Sequence, residues 1–247
     1  GYPWSEIRNL YDERGNCIES TYWSTSGTPT TDKDKKTHKR LHEFDAMNRI
    51  VYERNLDTQG KPIEGEPEGR VRYDQYGNMA EISCYDGYGK PRLSSDGVYL
   101  IKNKYNKRNK LVSVSYYGLS DNLVISKTHG FARNINTYDE KGNRTEEKYY
   151  DEKEKCIKIE RTQYNDKNQQ TEWLVLDGNG KRSDKFYGVS RCVVEYDKNG
   201  IVPTVRKYYN SSNQLLATQK FNAKKQSWDD LVMVGRGTAP TTPVSTG

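Results

Sequence analysis

The chain has 247 residues, 40 Lys and Arg against 34 Asp and Glu, and a net charge of +6. Leu, Ile, Val and Phe supply only about 17% of it, a share that signals disorder in a strongly charged chain, but here the signs nearly cancel and 20 Tyr and 4 Trp add the aromatic surface that disordered chains lack. No run approaches the roughly 18 apolar residues of a membrane-spanning helix, so the composition describes a well-hydrated, strand-rich protein with no transmembrane segment and no large oily core.

Residues 1–10, GYPWSEIRNL, read as a lead-in strand or N-terminal cap, with no signal-peptide pattern. The first turn follows at once in YDERGN and recurs as YDQYGN and YDEKGN. Allowing for substitution there are seven copies. The first slot holds Tyr11, Phe44, Tyr73, Tyr105, Tyr138, Tyr164 and Tyr196. The second slot is Asp or Asn throughout: Asp12, Asp45, Asp74, Asn106, Asp139, Asn165 and Asp197. The fifth is Gly or Asn: Gly15, Asn48, Gly77, Asn109, Gly142, Asn168 and Gly200. Asp or Asn at the head of a turn accepts a bond from a backbone N–H two residues on, and Gly and Asn most readily take positive φ. The pattern predicts a type I turn followed by a left-handed residue, closing a bulged hairpin.

A second turn follows, led by Trp23, Leu56, Tyr85, Tyr117, Tyr150, Leu176 and Tyr209, at a distance of 12 residues in six copies and 13 in the last. Its left-handed slot holds Gly27, Gly60, Gly89, Gly180 and Asn213, but Asp121 and Glu154 break the pattern. The spacing leaves strands of about seven residues, each about 24 Å long. In LVSVSYY, Val112, Val114 and Tyr116 alternate with Leu111, Ser113, Ser115 and Tyr117, whereas RTEEKYY (144–150) is polar at the same slots and predicts cross-strand charge pairs. The return from each second turn varies from 14 to 21 residues and carries inserts such as GKPIEGEPEGR and GKPRLSSDGVYL, which map to loops on one edge. FNAKKQ at Phe221 reads as a degraded eighth unit, and 229–247, ending TAPTTPVSTG, as a flexible linker. The predicted fold is all-β: an elongated antiparallel hairpin array over 11–228, about fifteen strands in a single curved or coiled meandering sheet.

These turns resemble the YD repeats of bacterial RHS-type proteins, and the paired form, with YYDEK or CYDGYGKP following, is similar to bacterial MORN-variant repeats. The resemblance runs from about Tyr11 to Gln226. It implies an extended hairpin array serving as a binding surface, scaffold or shell beside another domain, in a bacterial envelope or secreted protein. The period here, 26 to 33 residues, is longer than either standard unit, and the glycine-rich consensus of eukaryotic MORN units is absent.

Motifs for chemistry are few. Cys17, Cys84, Cys156 and Cys192 form no C-x-x-C pair and read as small, partly buried thiols. His38 and His42 have i, i+4 spacing without a catalytic Glu between them and read as solvated loop or strand residues, and His129 has no recognisable Ser or Cys partner motif. The turn acids are explained by the backbone, and DGNGK at Asp177 lacks an EF-hand ladder. Basic clusters at Lys33, Lys35, Lys36, Lys39 and Arg40, and at Lys104, Lys107, Arg108 and Lys110, suit an anionic polymer, but a solvated face balanced by acids is the simpler reading. No catalytic residue, metal or cofactor is expected, and no nucleic-acid partner. Trp23, Tyr85, Tyr117, Tyr150 and Tyr209 share one slot; sheet packing comes first, and the exposed part of the row is the candidate surface for a protein partner, an extended peptide or a glycan. The expected function is a non-catalytic interaction module, with a carbohydrate-binding or adhesin module and a hydrolase with acids on the inserts as the alternatives.

Overall fold

Asp12 shows how each corner closes. Its carboxylate accepts the backbone N–H groups of Arg14 and Asn16 at 3.0 and 2.8 Å. Its own N–H donates to the Asn16 carbonyl at 2.9 Å, and the Gly15 N–H to the Asp12 carbonyl at 3.0 Å. The strand register shifts between Leu10 and Tyr11, so the corner is the bulged hairpin the sequence predicts. The left-handed residues are as expected: Gly15, Gly77, Gly142 and Gly200 at φ 61 to 88°, and Asn48, Asn109 and Asn168 at 62, 54 and 61°. Only the Asp197 corner is one residue longer, its N–H reaching the Val202 carbonyl.

The computed structural model describes residues 4–32, 36–63 and 68–234. Lys33 and Lys35 of the first basic cluster, part of the GKPIEGEPEGR insert and the tail from 235 lie outside these. The chain divides into two compact units, Gly1–Arg133 and Asn134–Gly247. Unit 1 carries β1 (Glu6–Tyr11), β2 (Cys17–Trp23), β3 (Lys39–Phe44), β4 (Ile50–Leu56), β5 (Glu68–Tyr73), β6 (Met79–Tyr85), β7 (Leu100–Tyr105) and β8 (Leu111–Tyr117), each antiparallel to the next. Unit 2 carries β9 (Arg133–Tyr138), β10 (Arg144–Tyr150), β11 (Cys156–Tyr164), β12 (Gln170–Asp177), β13 (Arg191–Tyr196), β14 (Pro203–Tyr209) and β15 (Leu215–Asn222). These follow the same meander, and two short strands, β16 (Ser227–Trp228) and β17 (Val232–Met233), pair with β15. No helix occurs among the described residues. FNAKKQ does form a hairpin: Phe221 pairs with Trp228, and Gln226 takes the left-handed conformation at φ 53°.

The second corners repeat the design with one surprise. Asp121 and Glu154, which break the Gly/Asn pattern, are left-handed all the same, at φ 55 and 60°. A side chain with Cβ is strained there by roughly 1–2 kcal/mol. Glu154→Gly is therefore expected to stabilise the protein by about 0.5–1 kcal/mol after the added unfolded-state entropy is subtracted, raising the melting temperature by roughly 2 °C in a calorimetric scan; an unchanged or lower value would refute the strain argument.

Beyond five of these corners the chain makes a single bridge, as at Trp23–Pro29 and Tyr117–Leu123, then leaves the sheet and returns. The residue before four of these corners clamps the insert at both ends. Tyr22 accepts from the Thr30 N–H and donates to the His38 carbonyl, both at 3.0 Å; Cys84, Tyr116 and Val175 do the same for Arg92 and Tyr99, Val124 and Ala132, and Ser183 and Ser190. Each of these four inserts ends on a third turn that the sequence reading missed: a left-handed Lys36, Gly97, Gly130 or Gly188, followed by Thr37, Val98, Phe131 or Val189. Thr37, Val98 and Val189 are buried. In unit 2 this places Val189, Phe186 and Tyr187 with a row of side chains crossing four strands, Trp173, Cys192, Tyr208 and Ala217. The core lies beneath the insert, which is why so little aliphatic residue suffices.

Candidate functional site

The first-corner margin is a chain of bonds between repeats. The hydroxyls of four first-slot tyrosines donate to a strand-initial carbonyl of the preceding repeat. In unit 1, Tyr73 reaches Ile50 at 3.1 Å and Tyr105 reaches Met79 at 3.3 Å. In unit 2, Tyr164 reaches Arg144 at 3.1 Å and Tyr196 reaches Gln170 at 2.8 Å. Phe44 has no hydroxyl to give. Phe44→Tyr is expected to add one bond, to the Cys17 carbonyl, and about 0.5–1.5 kcal/mol in urea denaturation; a loss of stability would count against this register.

The sixth slot ties the corners directly. The Asn16 amide donates to the Asn48 side-chain oxygen at 3.0 Å and Asn78 to Asn109 at 3.2 Å in unit 1; Asn143 donates to Asn168 at 3.1 Å in unit 2. Over the first six corners Gly–Asn thus alternates with a corner that carries Asn at the fifth slot, and that asparagine serves as acceptor as well as left-handed residue.

The same bonds depress the corner carboxyls. Asn16, Arg49, Asn78 and Asn143 side chains hold Asp12, Asp45, Asp74 and Asp139 below the usual 3.8, and backbone N–H groups do so for Asp86 and Asp197. A carboxyl whose folded pKa is lowered contributes stability that is present above its unfolded pKa and lost as pH falls through the folded value. The protein is expected to lose stability progressively below about pH 4. Asp74→Asn with Asp139→Asn should flatten that acid limb, because Asn106 and Asn165 already make the same backbone bonds at 2.9–3.0 Å. An identical limb in the double variant, followed by circular dichroism against pH, would exclude these groups as its cause.

The second margin holds the five aromatic candidates, all half-buried. Four carry a cation on the ring face. In unit 1, Arg8 sits 4.1 Å over Trp23, Arg70 4.0 Å over Tyr85 and Lys102 4.6 Å over Tyr117; in unit 2, Arg191 lies 5.3 Å over Tyr209. Tyr150 flanks Lys148, whose ammonium pairs with Glu146 at 2.8 Å. Glu146 also takes Arg161 across the strand pair at 2.7 Å, one of the predicted charge pairs. The Tyr99 hydroxyl donates to Tyr85 at 3.0 Å, which pushes Tyr99 up to about 12. The row is thus built into the packing of each hairpin.

His38 is not solvated, as the sequence reading had it. It is buried between β2 and its insert, with Nδ1 3.0 Å from the Tyr22 carbonyl and 2.9 Å from that of Thr30, and packs edge-on to Trp23. Two carbonyls satisfy its polar edge in place of water. His42 lies on β3, 3.6 Å from Glu53.

His129 has the partners that no motif announced. Ser126 Oγ donates to Asp96 at 2.5 Å, His129 Nδ1 lies 2.9 Å from the same Oγ, and the Thr128 N–H donates to Asp96 at 2.6 Å. A Ser, a His and an Asp meet, but in the wrong order for acyl transfer. In a hydrolase the imidazole stands between the other two and takes the serine proton. Here serine stands in the middle and gives its single proton to Asp96, so His129 Nδ1 must donate. Ser126 is also fully buried. The group is a clip that joins two inserts of unit 1.

A second cluster absent from the sequence reading lies in unit 2. Lys158 sits 3.9 Å over Tyr149 and 4.9 Å over Tyr187, with Glu160 at 2.8 Å as its counter-ion. Glu160 also accepts from the Tyr187 hydroxyl at 2.8 Å and the Trp173 indole at 3.2 Å. Burial drives the Tyr149 and Tyr187 hydroxyls far up. This desolvated pair fastens the insert to the sheet; the alternation KIE in β11 is its one trace in the sequence. All four cysteines are free thiols, and burial raises Cys84, Cys156 and Cys192, the last to about 11. Among the described residues no three His, Cys, Asp or Glu side chains are grouped to hold a metal ion.

No protein-family model matches the chain, and no curated protein does. Among solved structures, TcdB2-TccC3 without its hypervariable C-terminal region is similar at 14% identity and a TM-score of 0.38, over 94% of this chain and 12% of that one. TcdB2-TccC3 itself is similar at 12% identity and 0.35, over 87% of this chain and 13% of that one. The chain spans about an eighth of their length, and a likeness of this degree carries no argument about function.

Proposed function

We propose that the chain is a non-catalytic β-repeat module that mediates protein–protein interaction. The observation that supports this best is the commitment of its reactive side chains. Corner carboxylates are spent on backbone N–H groups, and Ser126 hands its proton to Asp96. What faces solvent is a succession of corners whose variable slots differ from repeat to repeat. Carbohydrate stacking on the aromatic row is disfavoured, because a sugar would have to displace Arg8, Arg70 or Lys102 from the ring faces.

The test sets a cross-linking pull-down on the whole chain beside a glycan array. A protein captured with cross-links to corner residues, and no saturable glycan signal, is the expected result. Saturable glycan binding that Tyr85→Ala abolishes would overturn the reading, as would turnover of chromogenic ester or glycoside substrates that survives repurification.

A further inference from the structure

Strand β1 repeats the chemistry of β5. EIRNLY and EGRVRY carry Glu, Arg and Tyr at the same slots: Glu6, Arg8 and Tyr11 against Glu68, Arg70 and Tyr73. Both strands run into an Asp-x-x-Gly-Asn corner. Both arginines stack on the second-corner aromatic of their own hairpin, Arg8 on Trp23 and Arg70 on Tyr85. The strands differ in what lies on their outer side.

On β5 that side is filled by corner two and β4. Arg54 pairs with Glu68 at 3.1 Å, and Tyr52 stands opposite Arg70. The Tyr73 hydroxyl donates to the Ile50 carbonyl at 3.1 Å, and Arg49 lies 4.2 Å over the Tyr73 ring. The Arg49 guanidinium also comes within 3.3 Å of where a Cβ on Gly77 would stand, and the Glu68 side chain is only 5% exposed. On β1 the same groups face solvent. Among the described strands it alone is exposed at every residue. The Glu6 side chain is 51% exposed and Tyr11 55%, and a Cβ on Gly15 would meet nothing within 4 Å. Tyr22, opposite Ile7, spends its N–H and carbonyl on His38 and Thr30, so the alternation of an antiparallel ladder turns the Ile7 N–H and carbonyl outward. The Tyr11 hydroxyl accepts the Asn9 amide at 3.3 Å and keeps its own proton to give.

We propose that β1 and the first corner form an inter-repeat joint that docks a strand of a partner polypeptide, and that this strand has the chemistry of residues 44–57, FDAMNRIVYERNLD. An open strand edge accepts an added strand through its backbone, and side-chain pockets choose which one. Here the choice is written in the joint that β5 already makes. The docked corner reads aromatic-Asx-x-x-Asn-Arg, with its arginine over Tyr11 and Gly15. The first carbonyl of its strand takes the Tyr11 hydroxyl. A tyrosine and an arginine two residues apart then meet Arg8 and Glu6. A second copy of the chain does not supply this strand, because its own 44–57 segment is held on its own β5. The proposal rests on the interaction-module reading and gives it a surface and a ligand.

Fluorescence anisotropy with a labelled peptide of the 44–57 sequence tests it on the whole chain. Saturable binding is expected, about threefold or more weaker for Tyr11→Phe, which loses one hydrogen bond. Glu6→Arg, which sets like charges opposite each other, should weaken it about fivefold. A peptide carrying Arg54→Glu should show the same loss on the parent chain and recover to within about twofold on Glu6→Arg, as a double-mutant cycle requires of a direct pair. Both substituted positions of the chain are exposed, so thermal unfolding of the variants should match the parent and separate lost docking from lost folding. No saturable binding, binding indifferent to Glu6→Arg, or failure of the swapped pair to recover overturns the joint. A dimer of the chain that sedimentation detects and Glu6→Arg dissolves gives the edge to a second copy and overturns the partner assignment. A protein captured in the pull-down in any of these cases leaves the module reading standing, whereas no captured partner in any assay sinks both.

Discussion

Gly178→Ala is expected to cost about 2–3 kcal/mol, near the upper end for forcing an extra carbon into packed structure. A Cβ at Gly178 would lie 1.9 Å from the Cys156 carbonyl oxygen and 2.6 Å from its carbon. The obstacle is backbone, held by the Lys158–Asp177 pairing of β11 and β12, so no rotamer change relieves it. Relief requires moving the start of β11, and with it the Lys158 cluster. Gly180→Ala, two residues on, is the control: its added Cβ meets nothing within 4 Å, but φ is +85°, so only the left-handed strain of roughly 1–2 kcal/mol applies. Urea midpoints should therefore fall in the order parent, Gly180→Ala, Gly178→Ala. A Gly178→Ala variant as stable as Gly180→Ala would show that the approach of the two strands is softer than 1.9 Å implies.

The Asn168 corner separates two roles that the sequence merges. Asn168 holds φ at 61° and accepts the Asn143 amide at 3.1 Å. Replacement by Ala forfeits both, roughly 1–2 kcal/mol of backbone strain and about 0.5–1.5 kcal/mol for the bond. Replacement by Gly forfeits only the bond and relieves the backbone, so the two should differ by at least about 1 kcal/mol in chemical denaturation. Equal losses would mean that the left-handed conformation costs alanine nothing and the inter-corner bond alone accounts for the effect, whereas an unchanged stability in Asn168→Gly would mean that the bond contributes nothing. Asn48 and Asn109 offer the same comparison in unit 1.

Much of the fold was legible because corner chemistry is local. Asp12 and Gly15 announce a bulged hairpin from six consecutive residues, and the same logic located Asp74, Gly77, Asp139, Gly142, Asp197 and Gly200. Glu154 shows where locality ends: hairpin closure imposes a conformation that its own residue type would not choose. The turns before Thr37, Val98 and Val189 went unread because the inserts differ in length and carry no tyrosine marker. The meeting of Ser126, His129 and Asp96 was invisible for another reason, since the 30 residues from Asp96 to Ser126 are brought together by strand register, not by spacing. The aromatic residues of the second corners share a slot in the sequence, but the cations over Trp23 and Tyr85 stand on the neighbouring strand of the hairpin, and no single strand reveals them.

The alternation of Gly–Asn and Asn-containing corners sets a rule for changing the length of the array. Excising repeats two and three together from unit 1 brings Asn16 opposite Asn109, and the donor again meets an acceptor, as it now does at Asn48. Excising repeat two alone sets Asn16 against Gly77, which has no side chain to receive it. The unit whose removal keeps this bond is therefore the pair of repeats, a doublet of about sixty residues by the spacing of Tyr11 and Tyr73, and removal of a single repeat leaves a seam.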